Sequence, residues 1–452
     1  MKNCSLILSL AAVVLALGTA CKKENHITDE RALSAGPIHS CGDSTISGVI
    51  TSNLFLDSCK VYKLSGLVYV ANNATLTISK GALVQGIKGA PGGTLIITKG
   101  SKLVAAGTQF SPILFTSDQA SPASGDWGGI VLLGKADINQ GDSALVEGIT
   151  GATPASAYYG GNDNGDNSGT LTYVRIEYAG YELAADNELN GLTIAGVGSN
   201  TTLNHIEVYK SKDDAFEFFG GTVNASYLIA VDALDDMFDF DNGFSGHISY
   251  ALGISDPTRA DKSQSNGIES DNRSNGDSSS FPTTKAVIDH LTIIGQSTAA
   301  AASITNGQPS GTGSYGRGAH FRRSSQFDVQ NSIFLGFNKG ISLDGALGNT
   351  PCAYARNLST LTNNLVHAYV THFIIEGTSA CLTTLNFDAL AQLRENYPYA
   401  TWQEIGLSAP FNRPTTASAA NYFPSAGSDA ATAGAGAFTV GSADWAASWS
   451  RF

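Results

Sequence analysis

Short runs of β-forming residues, separated by glycine or asparagine turns, repeat along the chain from residue 61. Within this pattern Ile206, Leu228 and Ile248 recur every 20 to 22 residues, which is the length of one coil of a parallel β-helix. A β-sandwich or a propeller is the alternative, but hairpin turns such as Asn-Gly between paired strands are largely missing. The repeat therefore predicts an all-β solenoid. Its first runs are LSGLVYV (64–70), ATLTI (74–78) and GTLIITKG (93–100).

The composition narrows the class of partner. Of the 452 residues only 14% are charged and 50 are glycine, so much of the surface is Ser, Thr, Asn and Gly. The formal charge of −13 argues against nucleic acid, whose backbone requires clustered Lys and Arg. Cations or neutral glycans fit better. We expect one long domain and a monomer.

The N-terminus has the pattern of an export signal. Lys2 precedes an apolar run from about Leu6 to Leu17, and small residues follow up to Cys21. This run is too short for a convincing membrane span, so residues 1–20 are predicted to be a signal peptide. LGTAC resembles a bacterial lipobox, in which Cys21 is lipidated. Plain secretion is the alternative, because Leu17 lies one place further from the cysteine than the usual pattern.

A polar stretch follows the predicted lipid site. Residues 21–40 are predicted to form a lipidated flexible tether. The expectation is an outer-membrane lipoprotein of a Gram-negative bacterium, facing either the cell surface or the periplasm.

Four cysteines remain after the signal and the lipid site are set aside. Cys41 lies near Cys59 in sequence, and Cys352 lies near Cys381. In an exported protein both pairs are expected to be disulfides. They lie near the two ends of the folded region, where they would prevent fraying.

The solenoid is predicted over residues 41–385, with surface loop insertions at 140–170 and 255–285. Its ends are open sheet edges that need covering. Residues 386–452 are predicted to supply a short C-terminal helix (388–397) and a capping segment. Trp445 and Trp449 of that segment are expected to seal the last coil.

Several motifs resemble a family of exported β-helix proteins that is common in Bacteroidetes and in some Proteobacteria. The resemblance covers most of residues 45–450. It implies a right-handed, pectin-lyase-like β-helix at the cell surface, and it brings no established activity. The motifs are GDWGGIVLLGKADIN (125–139), TLTYVRIEYAGYE (170–182), ELNGLTIAGVG (188–198), DDAFEFFGGTVN (213–224), LDDMFDFDNGFSG (234–246) and SNGIESDN (265–272).

Acidic residues recur at one position of the repeat. DDAFEFFGG (213–221) and DDMFDFDNG (235–243) are nearly the same pattern 22 residues apart, and NGIESDN (266–272) extends it. On successive coils their acids would form a column, with His320 and Arg322 of GAHFRRS (318–324) placed next. The predicted metal ligands are Asp213, Asp214, Glu217, Asp235, Asp236, Asp239, Asp241, Glu269 and Asp271.

Such a column calls for positive charge. Neighbouring strands lie about 4.8 Å apart. Two carboxylates at that distance repel by roughly 3 to 4 kcal/mol at an effective dielectric of 20. Either some keep protons or a cation lies between them. Ca²⁺ accepts six to eight oxygen ligands at flexible angles, so it suits the column better than Mg²⁺.

Two other interpretations stay open. The first is a solvated acidic face, in which Asp213, Asp214, Asp235 and Asp236 satisfy turn backbones. The second is an enzyme. Pectate-lyase-like folds, which this architecture resembles, use Ca²⁺ to neutralise a uronate carboxylate while a basic residue removes a proton. Arg317, Arg322, Arg323 and His320 are the candidates for that residue, with Arg322 and His320 preferred. A glycoside hydrolase would instead use two carboxylates.

The preferred interpretation is a calcium-binding surface protein that is structural or binds an extracellular polysaccharide. A polysaccharide lyase or hydrolase acting at the same column is the alternative.

Overall fold

The chain coils into a right-handed parallel β-helix. The structure is a computed structural model that describes residues 39–149, 157–184 and 187–452. The predicted signal peptide, Cys21 and most of the tether lie outside these ranges. In chain order the strands are β1 (Asp43–Ile50), β2 (Leu54–Leu56), β3 (Val61–Val70), β4 (Thr75–Ile78), β5 (Leu83–Gly86), β6 (Thr94–Ile97), β7 (Lys102–Ala106), β8 (Ile113–Ser117), β9 (Gly129–Leu133), β10 (Ala144–Leu145), β11 (Tyr158–Tyr159), β12 (Gly169–Glu177), β13 (Glu182–Ala184), β14 (Asn187–Glu188), β15 (Leu192–Ala195), β16 (Thr202–Tyr209), β17 (Phe216–Phe219), β18 (Ala225–Val231), β19 (Phe238–Asp241), β20 (His247–Ile254), β21 (Ile268–Ser270), β22 (Lys285–Ile294), β23 (Arg317–Phe321), β24 (Gln326–Gln330), β25 (Ile333–Asp344), β26 (Thr360–Thr362), β27 (Leu365–Glu376) and β28 (Tyr397–Tyr399).

Three parallel sheets form the walls of the solenoid. The first sheet contains β2, β4 and β7, the starts of β12, β16, β18, β20 and β22, and then β24 and β26. The second contains β5 and β8, the ends of β12, β16, β18, β20 and β22, the starts of β25 and β27, and β28. The third contains β6, β9, β15, β17, β19, β21, β23 and the ends of β25 and β27. β10 with β11, and β13 with β14, form two small antiparallel pairs outside the solenoid.

Apolar residues of successive coils stack in the interior. Ile206 pairs with Leu228, as the repeat predicts. Ile248 does not continue that row: Leu228 pairs with Ala251, and Ile248 lies three residues earlier on the strand, where it pairs with Ala225 in a second row. The core is therefore built of rows along the helix axis, each of which buries side chains from every coil.

A stack of aromatic rings marks the bend between the first and second sheets. Tyr173, His205, Tyr227, Tyr250 and His290 occupy this bend on five successive coils, all with left-handed backbones (φ 50 to 58°). Their ring centroids lie 4.3, 4.4, 5.4 and 4.9 Å apart. Each left-handed residue costs roughly 1–2 kcal/mol, and each aromatic contact contributes about 0.5–1.5 kcal/mol. The stacking thus offsets much of the strain of the bend. We call these five residues the corner stack.

The last coil is covered by a helix. The helices are α1 (Ala299–Ala302), α2 (Thr350–Ala355), α3 (Thr384–Leu393), α4 (Trp402–Ile405) and α5 (Asp429–Ala433), with a 3₁₀ turn at Ala420–Tyr422. Phe387 of α3 packs against Tyr354 and Phe373 of the final coils, with ring centroids 5.2 and 5.6 Å away. In the described ranges, none of these helices has the length and apolar character needed to cross a bilayer.

The predicted C-terminal helix begins and ends four residues too late. The Thr383 hydroxyl accepts a hydrogen bond from the Asn386 amide and starts α3 at Thr384. Glu395 is left-handed (φ 60°) and ends the helical path. Tyr397, expected on the helix, joins the second sheet as part of β28.

Both predicted disulfides are present. Cys41 is bonded to Cys59 near the first coil, and Cys352 is bonded to Cys381 near the last.

The C-terminal tail (400–452) lies along the side of the solenoid, not over its last coil. The outer face of the second sheet is apolar and needs covering, and the tail buries it together with the corner stack. Trp449 lies edge-on to Tyr173 and His205, with ring centroids 5.7 and 5.8 Å away. The expectation that Trp445 and Trp449 seal the last coil is therefore wrong.

Candidate cation-binding cleft

Acidic side chains line the outer face of the third sheet. Glu217, Asp239 and Glu269 occupy one position on three successive coils, in register. His320 continues the row. This is the alignment that the sequence repeat predicts. Alternation along the strands turns the neighbouring phenylalanines inward.

Those phenylalanines form two rows in the core. Phe216 stacks on Phe238 with ring centroids 5.5 Å apart, and Phe218 stacks on Phe240 at 5.3 Å. All four rings are buried. The apolar half of the repeat thus fixes the register that stacks the acids outside.

A second acidic row precedes the strands. Asp214 Oδ1 accepts a hydrogen bond from the Asp236 amide of the next coil (2.8 Å), and Asp236 Oδ1 accepts one from the Asn266 amide. Asp235 Oδ2 accepts one from the Ser263 hydroxyl (2.7 Å). Asp214 and Asp236 therefore support the backbone with one carboxylate oxygen each, as the solvated-face interpretation expects of turn residues, while the cleft brings them close to other acids.

The two rows converge into three overlapping sets of three acids. In each set the carboxylate oxygens lie within 4.8 Å of one another. Asp214 belongs to two sets, and so does Asp239. Asp239 Oδ1 is buried and has no hydrogen-bond partner among the described residues. The sets are Asp213, Asp214 and Asp235; Asp214, Glu217 and Asp239; and Asp236, Asp239 and Glu269.

Loops turn the acidic face into a cleft of about 450 Å³. Among the described residues they add four carboxylates to the seven from the repeats, so that eleven acids and two lysines line the cleft. The repeat does not predict these four, because a repeat pattern gives no direction to a side chain in an insertion. Acids within the predicted loop insertions were the available signal for two of them. The four are Glu147, Glu182, Glu188 and Asp261.

The crowding disfavours ionisation. Burial and then the neighbouring carboxylates raise the pKa of Asp213, Asp214, Glu217, Asp236 and Asp239 well above the usual range. Burial, together with the charge of Asp261, raises the pKa of Asp235 to about 8. In the absence of a cation, the cleft therefore retains protons at neutral pH.

The structure does not bring every predicted ligand to the cleft. Asp271 binds Arg322 and Arg323 instead, with N–O distances of 2.8 and 2.6 Å. Asp241 is the last residue of β19; it belongs to none of the three sets and does not line the cleft. Burial and the nearby Asp271 raise the pKa of Asp241 to about 8. Asp241 and Asp271 are therefore not brought together with the other seven predicted ligands.

The proposed catalytic residues are engaged by carboxylates. Arg322 forms ion pairs with Glu269 and Asp271. His320 is only 4% exposed, and its nitrogens lie 3.5 Å from Glu269 and 3.5 Å from Asp344. Neither residue lines the cleft. Both residues lie at the Glu269 end of the acidic row, where they offset its negative charge. Burial raises the pKa of Glu269, but His320 and Arg322 lower it below the usual value.

The three-sheet parallel β-helix, which has this cleft on one wall, places the chain in the class of pectate-lyase-like solenoids. The family described as pectate-lyase like beta helix domain matches residues 48–450, and the chain belongs to this family. Neither a curated protein nor a solved structure matches the chain. Membership is consistent with a polysaccharide-related or a structural role.

Proposed function

We propose that this protein is an exported β-helix protein whose acidic cleft binds Ca²⁺. The observation that carries the proposal is the overlap of three sets of three carboxylates, with oxygens within 4.8 Å, on one face of the solenoid. Ionisation of so many neighbouring acids is unfavourable because the carboxylates repel one another. A divalent cation that replaces their protons offsets this repulsion.

The donor atoms favour calcium over transition metals. Among the residues that the structure describes, the cleft lining contains carboxylates, the Asn190 amide and the Ser263 hydroxyl, and neither histidine nor cysteine. Oxygen-only sites suit Ca²⁺ and Mg²⁺. An irregular surplus of carboxylates suits Ca²⁺, which accepts six to eight ligands, better than the strict octahedron of Mg²⁺.

The cleft has room for at least two ions. The set Asp213, Asp214 and Asp235 shares no residue with the set Asp236, Asp239 and Glu269. Bound calcium would also offer positive charge to a carboxylate-bearing glycan. Together with the lipid anchor proposed at Cys21, this fits a surface-binding or structural role at the outer membrane.

The lyase alternative is less well supported. A lyase needs a base beside the metal, and Arg322 and His320 lie outside the cleft lining in contact with carboxylates. The two lysines of the cleft are Lys212 and Lys262, and Lys212 donates to Glu182.

Calorimetric titration of metal-free protein tests the proposal. We expect Ca²⁺ to bind with a stoichiometry of at least two. Asp239→Asn, which alters two of the three sets, should lower the stoichiometry or weaken binding at least tenfold. Asp388→Asn on helix α3, far from the cleft in the fold, should bind as the unaltered protein does. Absence of binding to the unaltered protein at millimolar Ca²⁺ would overturn the proposal.

A further inference from the structure

A lysine lies at the corner between the second and third sheets. Tyr178, Lys210 and Asp232 follow one another at this corner on three coils, each with a left-handed backbone (φ 61, 57 and 58°). The Lys210 amide donates to the Val231 carbonyl, which fixes its place above Asp232. Its side chain is partly buried.

The ammonium of Lys210 has no carboxylate partner in the part of the chain that the structure describes. Asp232, the next residue in the corner, is ion-paired with Arg413. The contact recorded for Lys210 Nζ is the face of the Tyr209 ring, 5.2 Å from the centroid. Lys210 thus forms no direct ion pair with a described carboxylate, although its charge acts on the nearby Asp232 and partly offsets the effect of burial on the pKa of that carboxyl.

Lys210 lines a pocket of about 440 Å³ whose lining, among the described residues, contains no acidic residue. Lys212, Arg259 and the Ser124 hydroxyl share this lining, and Arg259 Nη1 donates to Ser124 Oγ at 2.8 Å. Lys212 and Arg259 are each balanced from outside the pocket, Lys212 by Glu182 and Arg259 by Asp256 at 3.8 Å. Lys210 is therefore the basic residue of this lining that has no direct ion pair and is available to a ligand.

We propose that this pocket binds a singly charged oxyanion, either a carboxylate or a sulfate ester, with Lys210 as its ion-pair partner. Arg259, Lys212 and Ser124 supply further donors around the same space. A monoanion matches the one ammonium that has no direct ion pair. A dianion would bring excess negative charge close to Asp232 and Asp256, which line a separate, neighbouring pocket on the other side of Lys210. The site goes beyond the calcium cleft and does not need the metal.

Ligand-observed NMR titration with glucuronate, glucose 6-sulfate and neutral glucose tests this site. We expect at least one of the two anions to bind the unaltered protein, and glucose to bind at least tenfold more weakly. Which anion binds identifies the source of the charge. Lys210→Met should weaken anion binding by about tenfold or more, since a hydrogen bond to a charged group contributes about 1.5–3 kcal/mol.

Lys80→Met is the matched control, because Lys80 is exposed in a turn between β4 and β5 and its loss changes the net charge equally. It should leave anion binding unchanged. Arg259→Gln is the second test variant and should also weaken binding. Absence of binding by both anions, or equal binding by the Lys210→Met and unaltered proteins, overturns the proposal. Ca²⁺ titration of Lys210→Met should match that of the unaltered protein, so failure of this site is distinguishable from failure of the calcium cleft.

Discussion

Metal-free protein is expected to lose stability as the pH rises from about 6.5 to about 8, and saturating Ca²⁺ should reverse that loss. Burial and the neighbouring carboxylates raise the pKa of six acids of the cleft in the folded state, to about 8 for Asp235. The six are Asp213, Asp214, Glu217, Asp235, Asp236 and Asp239. In the unfolded chain the same groups titrate near 4. Between these values the native state holds protons that the unfolded state has released.

The sign follows from proton linkage. Where the native state binds more protons than the unfolded state, the free energy of unfolding falls as the pH rises, by about 1.4 kcal/mol per pH unit for each excess proton. Below about 6.5 the buried His205 and His367 act in the opposite direction, because burial lowers the pKa of each to about 4. The window above 6.5 therefore reports on the acids.

Ca²⁺ binds the ionised acids, so its stabilising effect should grow across the same window. At a free concentration of one hundred times Kd, one site stabilises the fold by about 2.7 kcal/mol. Chemical denaturation at pH 6.5, 7.2 and 8, with metal-free and with calcium-loaded protein, measures both effects. The buried Glu207 has a pKa of about 8 and adds a slope of the same sign that calcium does not remove.

Asp239→Asn distinguishes the contribution of the cleft to the pH dependence of stability from that of Glu207. This variant should reduce both the pH slope and the calcium effect, whereas Asp388→Asn should change neither. A metal-free protein whose stability is flat between pH 6.5 and 8, with no response to calcium, would contradict the protonated cleft.

Trp449→Ala is expected to destabilise the fold by about 3–5 kcal/mol, the range for truncating a buried aromatic side chain. Trp449 is 1% exposed, lies edge-on to two rings of the corner stack, and donates from Nε1 to the Trp445 carbonyl at 2.7 Å. Truncation of Trp449 leaves a cavity over the bend between the first and second sheets and weakens the packing of the tail against the corner stack.

Phe110→Ala is the control for this truncation, because Phe110 is 69% exposed. It should change the free energy of unfolding by less than about 0.5 kcal/mol. Denaturant titration followed by far-UV circular dichroism measures both variants. Equal stability of Trp449→Ala and the unaltered protein would mean that the tail contributes little to the fold.

The sequence was sufficient for the rows of the solenoid. The stacking of Phe216 on Phe238, and with it the alignment of Glu217 with Asp239, follows from two nearly identical stretches 22 residues apart. In a parallel β-helix, residues at the same position of successive repeats lie side by side on neighbouring strands. A sequence repeat therefore predicts directly which residues are neighbours in the structure.

Features outside the repeat were not readable. Glu147 and Asp261 reach the cleft from loops whose paths depend on tertiary packing. The row that starts with Ile206 continues through Leu228 to Ala251, and Ile248 belongs to a neighbouring row three residues earlier, because the approximate spacing did not distinguish two apolar rows of the same strands. The tail packs on the second sheet because the outer face of that sheet is also apolar. The strand pattern alone did not reveal that this outer face is buried.

The path of the tail also sets an order of events during biogenesis. Arg451 bonds to Glu177, which precedes it by 274 residues, and Gln109 donates to the Ala447 carbonyl across 338 residues. Coils that are synthesised early can pair with their neighbours at once, but the apolar outer face of the second sheet stays in contact with water until the tail has been synthesised. Loss of the tail would therefore leave the coils paired and expose an apolar flank that favours aggregation.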